Sequence, residues 1–313
     1  MEKQLLQEVL GCLCGERTLY YYHADQYAVY LLRRLLSKQP KMAIRELRNS
    51  RWSSLLKRPL LKSLVAECGN GYLEEGILDN VWPEQAEPFV MTLGRWGGVR
   101  TQAWSQTSRP GTNLVLQLNL STKWCREFEK AVKLSANRFF DCGHPLSDTR
   151  ATTLAWARLD IDFGTDEVLV EEIQSDLVRG VANMYRLAQR AKAKGLPTFC
   201  YRRHDLETTL IIAFAVEFLA AFAKNWQEIM LSATLDFVFD ELGISLLYYH
   251  SFETGNQLKH LHWSKPPRSL YTDLPKRFCF TQTNDAPIFL QQERTLRRKF
   301  KKMEKNQWFY MAA

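Results

Sequence analysis

Apolar positions recur at helical spacing through the first third of the chain, then switch to strict alternation, then return to helical spacing. Leu5, Leu6, Val9 and Leu10 begin one helical stripe, and Tyr27, Tyr30, Leu31, Leu35 and Leu36 another. A third runs from Ile44 through Leu47 to Leu55 and Leu56, with Pro59 suited to open a helix at Leu60–Glu67. Gly69-Asn70-Gly71 breaks the chain. Strands are expected at Phe89–Leu93, Thr101–Ser105 and Asn113–Leu120, the last with Leu114, Leu116, Leu118 and Leu120 on one side. Helices follow at Trp124–Leu134, Leu177–Lys194, Leu206–Ala223 and Ala233–Leu242, the last stopped by Gly243 before a strand at Ile244–Tyr249. Pro266, Pro267 and Pro275 keep Ser264–Phe280 extended or looped, and the tail from Leu290 reads as helix. The expected class is α+β, a mixed β-sheet with flanking helices. It divides into a helical N-terminal region (1–70), an α+β core (71–290) and a basic C-terminal helix (291–313).

The segment Ala155–Asp176 carries the most information. Two alternating runs flank Gly164-Thr165-Asp166, the pattern of a β-hairpin. With Thr165 and Asp166 at the tip, Phe163 faces Val168, Ile161 faces Val170 and Leu159 faces Glu172. That register puts Glu172 and Gln174 on the apolar face, where a carboxylate is costly unless paired or protonated. Glu172 is therefore the expected acid/base group, with Gln174 as an orienting amide. Arg158, Asp160 and Asp162 fall on the other face, and Arg158 is near enough to Glu171 to pair across the ladder. Ser175 or Asp176 caps the helix that follows. His250, Ser251, Glu253 and Thr254 form a second polar group beyond a strand end, which makes His250 an auxiliary to Glu172 if the two strands are neighbours.

Composition narrows the choices. Hydrophobic residues make up 46% of the 313, with nine Trp, which supports a packed core. The seven Cys are odd in number and scattered, and the start is the polar MEKQ; both favour reduced thiols and a cytoplasmic setting. Glu207 and Glu217 interrupt the most apolar stretch, so it reads as a core helix and no membrane partner is expected. The net charge of +8 gathers partly in Arg294, Arg297, Arg298, Lys299, Lys301 and Lys302, a candidate nucleic-acid contact or a solvated helical face. Cys142/His144 and His260/His262 lack the partner spacing of a zinc site, so no metal is assigned. Neither a Walker loop, nor G-x-G-x-x-G, nor G-x-S-x-G occurs.

At Glu171-Glu172-Ile173-Gln174-Ser175-Asp176 the chain resembles the EIQSD-motif domain of phage and mobile-element polyvalent proteins. The resemblance runs from Val168 to Phe280 and includes Gly243-Ile244 and Tyr271-Thr272-Asp273-Leu274-Pro275-Lys276. It implies a strand ending in the motif and a helix after it. The layout is also similar to acyltransferases of the N-acetyltransferase type, which implies a transferase. The R/Q-x-x-G-x-G/A turn that binds coenzyme A in that type is absent, since Arg186-Leu187-Ala188-Gln189 stands mid-helix without glycine.

Three readings follow. One is a transferase-like enzyme with Glu172, Gln174 and His250 at its centre. Arg109, Arg158, Asp160, Ser175, Asp176 and Glu253 then bind an anionic small molecule, with the cofactor open. Another is a non-catalytic nucleic-acid-binding or phage-linked accessory protein that uses the C-terminal basic run and the N-terminal helices, and a third is a polar core that holds the fold without any ligand.

Overall fold

Strands supply the frame. In the computed structural model, which describes residues 1–13, 18–79, 81, 85–98, 106–140, 143–147, 151–261, 265–303 and 306–313, eight strands form one sheet. They are β1 (Thr18–Tyr22), β2 (Glu87–Gly97), β3 (Thr112–Leu120), β4 (Thr153–Asp162), β5 (Glu167–Gln174), β6 (Leu246–His250), β7 (Thr281–Thr283) and β8 (Trp308–Ala312). Their spatial order is β1-β2-β3-β4-β5-β6-β8-β7. The β5–β6 pair is parallel and the other six pairings are antiparallel. The expected strand Thr101–Ser105, together with Cys142, His262 and Ser264, lies outside the described residues.

The main helices are α1 (Lys3–Leu13), α2 (Gln26–Lys38), α3 (Thr122–Val132), α4 (Asp176–Ala193), α5 (Thr208–Phe222), α6 (Trp226–Asp236), α7 (Phe252–Leu258) and α8 (Arg294–Phe300). A parallel pair needs a long crossover, and α4, α5 and α6 provide it between β5 and β6. Alternation along the strands then sorts the core into two. Val168, Val170, Leu247, Tyr249, Phe309 and Met311 join the large core under α2 and α4–α6. Leu169, Tyr248 and Trp308 point the other way, into a smaller cluster closed by Leu258, Phe289 and Leu296. The fold is α+β, as the periodicity predicts.

Three local readings change. The segment 291–313 is not all helix: α8 ends at Phe300, and Trp308–Ala312 is a strand inside the sheet. Its apolar side chains serve both faces, Phe309 and Met311 one, Trp308 the other. The region 1–70 also contributes β1, whose Tyr20 and Tyr22 are buried while Leu19 and Tyr21 are exposed. Finally, the hairpin tip is wider than expected. Asp162 Oδ1 accepts hydrogen bonds from Thr165 N (3.1 Å) and Thr165 Oγ1 (3.2 Å), so the turn starts at Asp162. Ile161 then faces Val168, Leu159 faces Val170, and Phe163 is exposed in the turn.

Among the described residues no single helix is long and apolar enough to cross a membrane. Thr208–Phe222 and Trp226–Glu241 pass such a test only as a pair, bent by 48°.

Candidate functional site

The β4–β5 ladder is in simple antiparallel register up to Leu159↔Val170 and then slips. The next pair is Arg158↔Glu172, so Glu171 is an extra residue opposite nothing on β4. Such a bulge re-aims the side chains around it. Here it separates two carboxylates that are adjacent in sequence. Glu172 pairs with Arg158, Nη2 to Oε2 at 2.5 Å, and not with the face of Leu159. Glu171 turns away from Arg158 to a different set of partners.

Glu171 is fully buried. Its carboxylate accepts the Ser108 N–H (2.8 Å), the Ser108 hydroxyl (2.9 Å) and His250 Nε2 (3.2 Å). Its main-chain carbonyl, released from the ladder by the bulge, accepts Lys259 Nζ at 2.6 Å. Burial pushes the Glu171 carboxyl up, but the bond and charge of His250, with Lys259 and Arg158, prevail and hold it at about 2. Burial pushes His250 down against the pull of the same carboxylate, and pushes Lys259 down as well. The expected Glu172–His250 pair is therefore corrected to Glu171–His250. It forms because β5 and β6 are neighbours whose ladder ends at Val170↔Tyr249, which sets the next two residues side by side.

Ser108, His250 and Glu171 do not make a nucleophilic triad. Ser108 Oγ and Glu171 Oε2 both approach Nε2 of His250, at 2.9 and 3.2 Å, whereas a relay needs them on opposite ring nitrogens. His250 Nδ1 is buried with no hydrogen-bond partner among the described residues, as are the hydroxyls of Tyr249 and Tyr271.

Further along β5 the side chains line an open cavity. A cavity of about 490 Å³ opens beyond the carboxyl end of the strand, where Glu172, Gln174, His144, Trp96, Trp226 and Arg179 contribute to its wall. Crevices at strand ends beside a parallel crossover are where α/β proteins place ligands. Ser175 caps α4, its Oγ accepting Val178 N at 3.1 Å. Asp176, buried at the first position of α4, gathers four donors: Gln174 Nε2 (2.6 Å), Arg179 Nη2 (2.6 Å) and His144 Nδ1 (2.8 Å) on Oδ1, and Trp156 Nε1 (3.1 Å) on Oδ2. Burial raises the Asp176 carboxyl, but the bond and charge of His144, with the Trp156 and Gln174 bonds, outweigh it and hold it below the usual range.

The remaining expected residues sort as follows. Arg158 is 1% exposed and is held by Glu172, by the Gln106 carbonyl (3.1 Å) and against the Trp96 ring (5.3 Å). Arg109 forks onto Asp160 (2.7 and 3.0 Å) and reaches Asp162 (3.4 Å), on the wall of a separate cavity of about 720 Å³. Both arginines expected to receive a substrate anion thus already hold carboxylates. Asp160 is buried beneath that fork. Glu253 pairs with the exposed Arg268 at 2.7 Å. Arg294, Arg297, Arg298, Lys301 and Lys302 are exposed, while Lys299 meets His260 at 3.1 Å. His144 and the two half-buried tryptophans were not among the candidates; a His in a loop 32 residues before its carboxylate has no spacing signal. Among the described residues no group of His, Cys, Asp and Glu is arranged to hold a metal. Comparison with family models, with curated proteins and with solved structures finds no match.

Proposed function

We propose that the chain is an acid/base enzyme of the group-transfer class, acting on a small molecule in the cavity beyond β5. The observation that carries this reading is the bond from His144, on the cavity wall, to the buried Asp176 behind it, Nδ1 to Oδ1 at 2.8 Å. A buried carboxylate bonded to one ring nitrogen fixes the imidazole tautomer and steadies the imidazolium that forms when the other nitrogen takes a proton. Asp176 is itself locked by Trp156 and Gln174, so it is a positioning residue and His144 the base. The proton leaves a hydroxyl, amine or water of the substrate, and the attacking group gains the bond that the leaving group gives up. Glu172, with Arg158 on one oxygen, is the second titratable group on the same wall.

The reading does not extend to acyl-CoA. Helix α4 starts directly after Ser175, whose Oγ accepts the Val178 N–H, and Asp176 puts a carboxylate in its first turn, which disfavours a pyrophosphate there. The test is a thermal-shift screen of small molecules on wild type, on His144→Gln and on Ala182→Trp, which adds a bulky ring at the exposed edge of the cavity. A ligand that stabilises wild type and His144→Gln but not Ala182→Trp, and is turned over by wild type alone, supports the proposal. Ligands that ignore the Ala182→Trp change oppose it.

The exposed basic residues of α8 favour a second reading, nucleic-acid binding at that surface. It predicts affinity for duplex or single strands that falls steeply with salt and is lost in Arg297→Ala/Arg298→Ala.

A further inference from the structure

The two edges of the large sheet are built differently. At one end β7 is short and polar, Thr281-Gln282-Thr283, and Arg51 donates to the Thr281 hydroxyl. Short, polar edges with a charge beside them keep foreign strands from adding. At the other end β1 is Thr18-Leu19-Tyr20-Tyr21-Tyr22, five residues without a charge or a proline. Its ladder runs to β2 alone, and among the described residues no main-chain hydrogen bond is made on its outer side.

β1 is also firmly placed. Tyr20 and Tyr22 are buried, and their hydroxyls donate to Ser232 Oγ (3.0 Å) and to Glu228, both on α6. Alternation turns Leu19 and Tyr21 to the opposite face, where they are 59% and 55% exposed. Val90 and Pro88 stand across the ladder from them. Leu19 further borders a hollow of about 380 Å³ whose wall includes Leu120 and Cys125. An apolar band therefore reaches the rim of the sheet and stops at an open hydrogen-bonding edge.

Another strand completes such an edge, and β1 is complementary to itself. A two-fold axis normal to the sheet pairs β1 antiparallel with β1 of a second copy and keeps like faces together. Centred on Tyr20, the axis pairs all five residues: Thr18 with Tyr22, Leu19 with Tyr21, and Tyr20 with Tyr20. Each exposed Leu19 then lies directly opposite an exposed Tyr21, within packing distance across adjacent strands. Moving the axis to Leu19 or Tyr21 pairs only three residues of β1 with each other.

We propose that two copies of this chain join through β1, antiparallel about a two-fold axis at Tyr20, so that their sheets run on as one. A five-residue edge covers less than the ~800 Å² per partner of a standard interface, so the association is weak, with a Kd of about 10–100 µM. The pairing does not draw on the cavity beyond β5 and is independent of the enzyme reading.

The first experiment is sedimentation velocity on the full chain from about 5 to about 500 µM, where monomer should give way to dimer. Tyr21→Lys sets an ammonium against Leu19 of the second copy and should weaken the dimer by about tenfold or more. Tyr21 is exposed, so the circular dichroism of that variant should match wild type. The second experiment tests register. Leu19→Cys and Tyr21→Cys chains with tags of different size are oxidised separately and mixed, against a wild-type background for the native cysteines. Cβ atoms of directly opposite residues lie about 4.5–5.5 Å apart and diagonal neighbours about 7–8 Å, so the mixed disulfide should exceed either single one by about fivefold or more. A chain still monomeric at the highest concentration overturns the proposal and leaves the edge to a strand of another protein. A dimer as tight in Tyr21→Lys as in wild type, or equal disulfide yields in single and mixed samples, overturns pairing through β1 about Tyr20.

Discussion

Asp236 offers a clean test of the electrostatics that hold this fold. It closes α6, just before a turn of π-helix at Phe237–Glu241, where the helix end is already negative. Burial raises its carboxyl, and the charges of Asp240 and Glu241 raise it further, from 3.8 to about 6. Because the folded state holds this proton more tightly than the unfolded chain, the group stabilises the fold most below pH 3.8. That contribution is lost as pH rises through about 6. Two pKa units correspond to roughly 3 kcal/mol, and partial exposure of the side chain reduces this to about 1–2 kcal/mol. Asp236→Asn keeps the shape and removes the charge. Its advantage over wild type should be near zero at pH 4 and grow to about 1–2 kcal/mol by pH 7.5, a rise in Tm of a few degrees. Thermal melts by circular dichroism at pH 4, 6 and 7.5 measure it. An Asn variant that melts lower than wild type at pH 7.5, or whose offset does not change with pH, would refute the argument.

Other expectations are as direct. Glu171→Gln should destabilise by about 3–5 kcal/mol in urea at pH 7, because it leaves buried donors facing an amide. In wild type the Glu171 carboxylate, held at about 2, stabilises the fold above its ordinary value of 4.5, and that contribution disappears as pH falls from there towards 2. Gly180→Ala should cost about 1–3 kcal/mol despite better helix propensity, since a Cβ there would lie 2.1 Å from the buried Phe140 ring; a normal or raised Tm would count against it. Ser175→Ala removes the α4 cap and should cost about 1 kcal/mol, read from the urea midpoint. Tyr249→Phe deletes a buried hydroxyl without a partner among the described residues and should be neutral or slightly stabilising in the same assay.

What could be read from residues alone was whatever depends on period and local chemistry. The alternation of Leu114 to Leu120 marks β3, and the Ser175 cap and the Gly243 stop, at φ +66°, are local signals that the structure keeps. The two faces of the hairpin also survive, since the turn widened by a full period and left Leu159, Ile161, Val168 and Val170 on one side. The bulge could not be read. It shifts pairing by a single residue, and nothing in Glu171-Glu172 says which of the two drops out of the ladder. That one-residue slip decides which carboxylate is buried and which faces the cavity. Strand β8 was hidden for another reason: an apolar run after a basic helix has no turn marker, and only pairing with β6 and β7 gives it a period of two. The His144–Asp176 pair is tertiary throughout.

The sheet order constrains how the protein can assemble. β8 follows β7 in the chain yet lies between β7 and β6, bonded to both. A growing chain can complete the antiparallel run β1 to β5 early, since each of those strands borders the next in sequence. β7 has nowhere to dock until the residues after Asn306 have been made. Until then the edge of β6, including Leu246 and Tyr248, is open to any other strand. The side of the sheet that presents His250 to Glu171 is therefore finished last, and nascent chains halted before Trp308 should be the ones that pair wrongly with one another.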